Sequence, residues 1–201
     1  MPVPRLRALF ALVAIALSLT LACSKKPVDQ TLPKLGKIGA FSLTDEASKK
    51  FSAADLHGKV WVAAFFFTRC RSACPIITHR LRALQKQEDK LGGHVHLVSF
   101  SVDPENDTPA AMTAYAKKYH ANLSNWSFLT GDYDAIKKLA GDFKMALEGD
   151  STKGASGMQL THASQLGLVD GKMQLRGYYS TKSDADMKKL ASDALRLSNG
   201  S

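Results

Sequence analysis

The sequence is poor in cysteine, in proline and in acidic residues, and it holds a single long apolar run. Three cysteines among 201 residues are too few for a disulfide-built scaffold, which needs several pairs. Seven prolines and 14 glycines exclude a fibrous or low-complexity chain. Aromatic residues make up only 8%, yet the hydrophobic share of 45% is enough to bury a core and too large for a disordered chain. A mean hydropathy of −0.14 excludes several membrane spans. One globular domain with one apolar end remains.

Acid is the scarce sign: 18 Asp and Glu face 27 Lys and Arg, a net charge of +9. Nucleic-acid binding through counterion release needs cations gathered on one face, with aromatics between them. Here Arg5 and Arg7 precede the apolar run, Lys25, Lys26, Lys34 and Lys37 follow it, and most of the rest are scattered through helix-like segments among acids. That distribution fits solvated helix faces and a basic tail near a membrane, with no nucleic-acid partner.

The run Ala8 to Ala22 has only Ser18 and Thr20 as polar groups and ends at Cys23. As a helix it spans about 22 Å, short of the ~30 Å hydrocarbon core, so a signal peptide over residues 1–22 is expected. Thr20-Leu21-Ala22-Cys23 resembles a bacterial lipobox, in which Cys23 would carry the lipid; an uncleaved short anchor and ordinary cleavage are the alternatives. Residues 23–38, with Lys, Pro and Gly but little apolar periodicity, read as a membrane tether, leaving 39–201 as the folded domain. Two thiols remain there for a disulfide or for chemistry.

Val60 to Phe67 is a continuous apolar run of strand length, the pattern of a strand covered on both faces. A helix from Pro75 follows, then a strand over Val95 to Val102, a helix from Thr108-Pro109, a short strand at Trp126 to Leu129 and a helix from Asp132. Glu148 to Leu160 reads as an exposed excursion, a hairpin or flap. Strands on either side of Asp170-Gly171 suggest a two-residue hairpin turn, and Ser183 caps a last helix. The expected fold is α/β, a thioredoxin-like three-layer sandwich with a central mixed sheet, an extra N-terminal strand near Phe41 to Leu43 and an inserted loop or hairpin.

Chemistry in such sheets sits beyond the carboxyl ends of the strands, where Thr68-Arg69-Cys70-Arg71-Ser72-Ala73-Cys74-Pro75 follows the first strand. Cys74 lies before the expected helix, whose positive end would lower its pKa and make it the reactive sulfur. Cys70, four positions earlier, is near enough for a redox-active disulfide or for a shared ion. Thioredoxins place a proline opposite their dithiol, but no proline follows Pro109. Thr161-His162-Ala163 stands before the late strand instead, offering a third ligand. Two thiolates and an imidazole suit Cu(I) and also hold Cu(II), whereas structural zinc normally takes four protein ligands. His94 and His96 share a strand face, His57 lies in a turn and His79 on the helix, and Met145 and Met158 fit gap-filling better than copper.

Phe65 to Pro75, Ser101-Val-Asp-Pro-Glu-Asn-Asp-Thr-Pro109 with Tyr115 beyond, Trp126 to Gly131, and His162 before a strand ending in Val169-Asp170-Gly171 together resemble the SCO/SenC family over about Phe41 to Leu195. The resemblance implies a metallochaperone, a carrier with no turnover, that delivers copper to the binuclear copper site of cytochrome c oxidase subunit II. It implies one copper ion per chain, held by Cys70, Cys74 and His162. Asp103 and Asp107 match acidic positions near that site and are expected to support the ligands. The chain departs from the family pattern at Arg71-Ser72-Ala73, which lacks an acidic residue, and at Gly167, where an aromatic is common. Arg69 and Arg71 favour the thiolate and suit an acidic partner. The expected location is the cell envelope, as a lipoprotein facing the periplasm or cell exterior. An envelope thioredoxin-like reductant or a second copper chaperone is a further expected partner. The alternative function is a thiol:disulfide reductase using Cys70 and Cys74.

Overall fold

Val60–Phe66 is buried along its whole length, because both faces of the strand are covered. Its residues divide between two cores: Val60, Val62, Ala64 and Phe66 face one, and Trp61, Ala63 and Phe65 face the other. A computed structural model describes residues 32–90, 94–145, 147–149, 158–160 and 164–199. Its strands are β1 (Gly36–Lys37), β2 (Ser42–Asp45), β3 (Lys50–Ser52), β4 (Val60–Phe66), β5 (Val95–Ser101), β6 (Trp126–Thr130), β7 (Leu147–Gly149), β8 (Met158–Leu160), β9 (Gln165–Val169) and β10 (Gln174–Ser180). The helices are α1 (Ala73–Lys90), α2 (Pro109–Lys118), α3 (Tyr133–Asp142) and α4 (Asp184–Ser198).

Eight strands form one sheet in the order β1-β10-β9-β4-β5-β6-β2-β3, and β7 pairs with β8 as a separate hairpin. The central β4, β5 and β6 are parallel, while β9 runs antiparallel to β4. Apolar residues of α1, α2 and α4 cover one face, and Ile136, Leu139 and Ala140 of α3 cover the other. This is the expected three-layer thioredoxin-like sandwich, with a mixed sheet, N-terminal strands and an inserted hairpin. No helix among the described residues is long and apolar enough to cross a membrane.

Two local readings are corrected. Residues 32–38, expected in the tether, lie on the domain: β1 pairs with β10, Ile38 is buried, and Arg176 donates to the carbonyls of Leu32 and Pro33. The turn at Asp170-Gly171 is longer than two residues. Met173 donates its amide to Asp170 and takes the positive φ of 61° itself, while the Asp170 carboxylate accepts the amides of Lys172 and Gln174. Gly171 is needed for close approach instead, since a Cβ there would lie 2.9 Å from the Gly58 backbone. At Gly167, the Phe143 ring occupies the space a side chain would take, 2.7 Å from the Cβ position.

His96 is half-buried on β5, bonded to the Ser127 hydroxyl at 3.0 Å and stacked on Phe51. Burial, with Lys59 adding to it, pushes its pKa from 6.5 down to about 4. Below about pH 6.5 the unfolded chain therefore takes up a proton that the folded chain refuses until near pH 4, and stability present at neutral pH is lost across that window. We expect a loss on the order of 2 kcal/mol between pH 7 and 4 from this residue. Denaturant melts of wild type and His96→Gln at both pH values check it; an equal acid loss in the two proteins excludes His96.

Candidate functional site

Parallel pairing brings the site together. Phe66, the last residue of β4, is the register partner of Ser101, the last of β5, and the Val102 amide reaches the Phe66 carbonyl at 2.9 Å. The loop 67–72 and the loop 102–108 therefore leave the sheet side by side at its carboxyl edge. Asp107, fully buried, joins them. Its carboxylate accepts the Thr68 amide at 3.1 and 3.2 Å, the Thr68 hydroxyl at 2.5 Å and the Ser101 hydroxyl at 2.5 Å. Burial pushes the Asp107 carboxyl up, against the hydrogen bonds from Ser101 and Thr68.

Asp103 is equally buried and forms an ion pair with Arg69 at 2.9 Å, with the Asn106 side-chain amide on its other oxygen. Arg69 itself is largely exposed. The two aspartates thus do different work: Asp107 fixes the backbone ahead of Cys70, and Asp103 neutralises the cation beside it. Thr68 and Ser101 were not singled out from sequence. The signal available was a serine ending a mostly apolar strand, a polar group that burial obliges to find a partner.

Cys70 and Cys74 are both free thiols, Cys70 part-exposed and Cys74 buried. The Cys74 amide donates to the Cys70 sulfur at 3.3 Å, so the first turn of α1 folds the loop back onto that atom. Partial burial opposes ionisation of Cys70. Hydrogen bonds involving the Cys74 thiol and amide and the Ser72 amide and hydroxyl outweigh it and hold the pKa below the usual 9.0. Cys74 behaves oppositely: burial first, then the bond to the Cys70 sulfur and the charges of Cys70 and Asp107, push it up to about 12, despite the Phe67 amide.

The expectation that Cys74 is the reactive sulfur is therefore corrected to Cys70. The physical reason is position: α1 begins at Ala73, so Cys74 already lies inside the helix with its side chain in the core, and the Cys74 amide of the first turn faces Cys70. Behind Cys74, its carbonyl accepts the Thr78 hydroxyl, which also bonds the Tyr115 hydroxyl at 2.7 Å.

His162 lies outside the described residues, as does Cys23. The Ser164 carbonyl, two residues on from His162, accepts both the amide and the hydroxyl of Thr181 at 2.9 Å. The Thr181 carbonyl in turn accepts Arg80 Nε, so the segment following His162 is tied to the helix that carries Cys74. Among the described residues no three His, Cys, Asp or Glu side chains form a metal-binding cluster. His57, His79 and His94 are exposed, and Met145 packs in the core beside Phe143; the side chain of Met158 lies outside the description.

A family model described as SCO1/SenC matches residues 29–197. The chain belongs to the SCO1/SenC family. Solved SCO1/SenC structures agree with the fold. A SCO1/SenC family lipoprotein from Bacillus anthracis is 32% identical, with TM-score 0.74 over 84% of this chain and 98% of that one. BsSco, a member of the Sco family of cytochrome c oxidase assembly proteins in which a disulfide switch was identified, is 30% identical with TM-score 0.74, covering 85% of this chain and 98% of its own. Bradyrhizobium japonicum ScoI with copper bound is 29% identical with TM-score 0.61, covering 79% and 98%.

Proposed function

We propose that this SCO1/SenC protein is a copper carrier of cytochrome c oxidase assembly. One copper ion is held as cargo by Cys70, Cys74 and His162 and passed to the binuclear copper site of subunit II. The observation that carries this reading is the folded-back loop, in which the Cys74 amide meets the Cys70 sulfur at 3.3 Å and the two thiols are hydrogen-bonded to each other. Thiols of this kind suit copper and serve oxygen-preferring cations poorly. The Arg69 charge, which alone would oppose a cation, is neutralised by Asp103. Copper bound to Bradyrhizobium japonicum ScoI and the oxidase-assembly role of BsSco support the same reading. The Bacillus anthracis lipoprotein supports acylation at Cys23 and a domain held outside the cytoplasmic membrane, facing the periplasm or cell exterior.

Copper(I) titration of the reduced chain against a chromophoric chelator, in a Cys23→Ser background, tests it. We expect one equivalent bound, binding lost in Cys70→Ser and weakened in His162→Ala. Absence of binding near one equivalent overturns the proposal. The unequal thiols also suit a dithiol that attacks through Cys70 and resolves through Cys74. His162→Ala separates the two uses: a carrier loses copper affinity while its dithiol still cycles, and a reductase keeps its activity.

A further inference from the structure

Between Asp55 and Glu88 the chain has no acidic residue, and this stretch contains the whole Cys70 loop and most of α1. Its two arginines beside the thiol differ in what they touch. Arg69 is engaged by Asp103. Arg71 is exposed and has no hydrogen bond or ion pair among the described residues. Ile76, one turn into α1, is 54% exposed, the most exposed large aliphatic side chain among the described residues. Pro75 between them holds the first turn rigid.

We infer that Arg71 and Ile76 form a docking rim around Cys70 that selects a protein segment presenting a carboxylate and an apolar side chain next to its own cysteine. Charge complementarity chooses this occupant: one free cation beside one exposed aliphatic side chain fits a short acidic segment, whereas an anionic lipid surface is met by clusters of four or more basic residues. A rim charge acts chiefly on association rate and on choice of partner. The inference rests on the proposed function only in taking Cys70 as the exchanging atom, and its test contains no copper.

The probes are three cysteine peptides that differ only in flanking residues, Asp-Leu, Lys-Leu or Ser-Leu, each activated as a mixed disulfide with thionitrobenzoate. The Cys70 thiolate attacks the peptide sulfur, the peptide–thionitrobenzoate bond breaks, and the coloured thiolate leaves as a Cys70–peptide disulfide forms. Cys74 then displaces the peptide thiol, so the protein pair loses the two electrons that the probe gains. The full chain carries Cys23→Ser, and rates are divided by those with hydroxyethyl disulfide to remove changes in intrinsic thiol reactivity.

At low salt we expect the Asp-Leu probe to react about tenfold faster than the Lys-Leu probe, with the ratio shrinking as salt is added. Arg71→Glu should reverse the order. Ile76→Ser should slow all three probes and leave their ratio unchanged. Equal rates in wild type, or a preference that Arg71→Glu does not alter, overturn the inference. So does an absent peptide preference joined to binding of phosphatidylglycerol vesicles that Arg71→Glu weakens, which would make the rim a lipid contact. Loss of copper binding in the titration above, with the peptide preference intact, would remove the carrier reading and leave the rim.

Discussion

Asp170→Ala is expected to destabilise the protein by about 3–5 kcal/mol, the range for leaving one member of a buried ion pair uncompensated. Arg176 is completely buried and its guanidinium meets Asp170 at 2.7 Å. The same carboxylate closes the turn between β9 and β10 by accepting the amides of Lys172 and Gln174, both at 2.9 Å. Removing it leaves a buried cation without its counter-charge and two turn amides without their acceptor. For a chain of this length the melting temperature should fall by roughly 10 °C or more. Arg176 also holds the carbonyls of Leu32 at 2.7 Å and Pro33 at 3.0 Å, so protease cleavage near residue 32 should accelerate in the variant. Adding Arg176→Met to Asp170→Ala should recover part of the loss, because the pair is then replaced and not broken. A melting temperature within 1–2 °C of wild type for Asp170→Ala, equivalent to less than about 1 kcal/mol, would show that the partners Arg176 keeps already compensate its charge.

That clamp also illustrates where sequence reading stops. The central strand, the caps Thr108, Asp132 and Ser183, and the amphipathic helices follow from local rules, and each forms where the pattern put it. Residues 32–38 gave no periodicity, because β1 has two residues and its anchor, Arg176, stands 144 positions from Leu32. The start of α1 was displaced by reading Pro75 as the first helical residue. Proline is tolerated throughout the first turn, where amides have no helical partner, and a shift of two residues moved Cys74 from loop to core and exchanged the characters of the two thiols. Asp-Gly announced a turn at 170–171, but the buried Asp170–Arg176 pair and the approach of Gly58 to Gly171 set its length. In the site, the cysteines and aspartates were visible as a motif. The division of labour between Asp103 and Asp107 was not, since it depends on β4 and β5 ending at the same level of the sheet.

Asp107→Ala should have the largest effect on the site for the least direct contact with it. Four hydrogen bonds converge on this carboxylate from Thr68 and Ser101. Its loss strands a buried amide and two hydroxyls, at a cost on the order of 3 kcal/mol. Cys70 is two residues from Thr68, so freeing that amide releases the loop that holds its sulfur over the first turn of α1. Amide exchange at Thr68 should lose its protection, and copper retention should weaken by about ten- to a hundredfold, as when a partner that orients a ligand is removed. Asp107→Asn separates geometry from charge. Its side-chain oxygen still accepts from Thr68, so protection there should largely persist, while the negative charge that helps to push Cys74 up is gone. The Cys74 thiol should then titrate below about 12, followed by thiolate absorbance in the ultraviolet. If Asp107→Ala leaves Thr68 protected, the loop is held by something other than this carboxylate. If Asp107→Asn loses copper as severely as Asp107→Ala, it is the charge facing the bound cation that matters, and the hydrogen-bond brace is secondary.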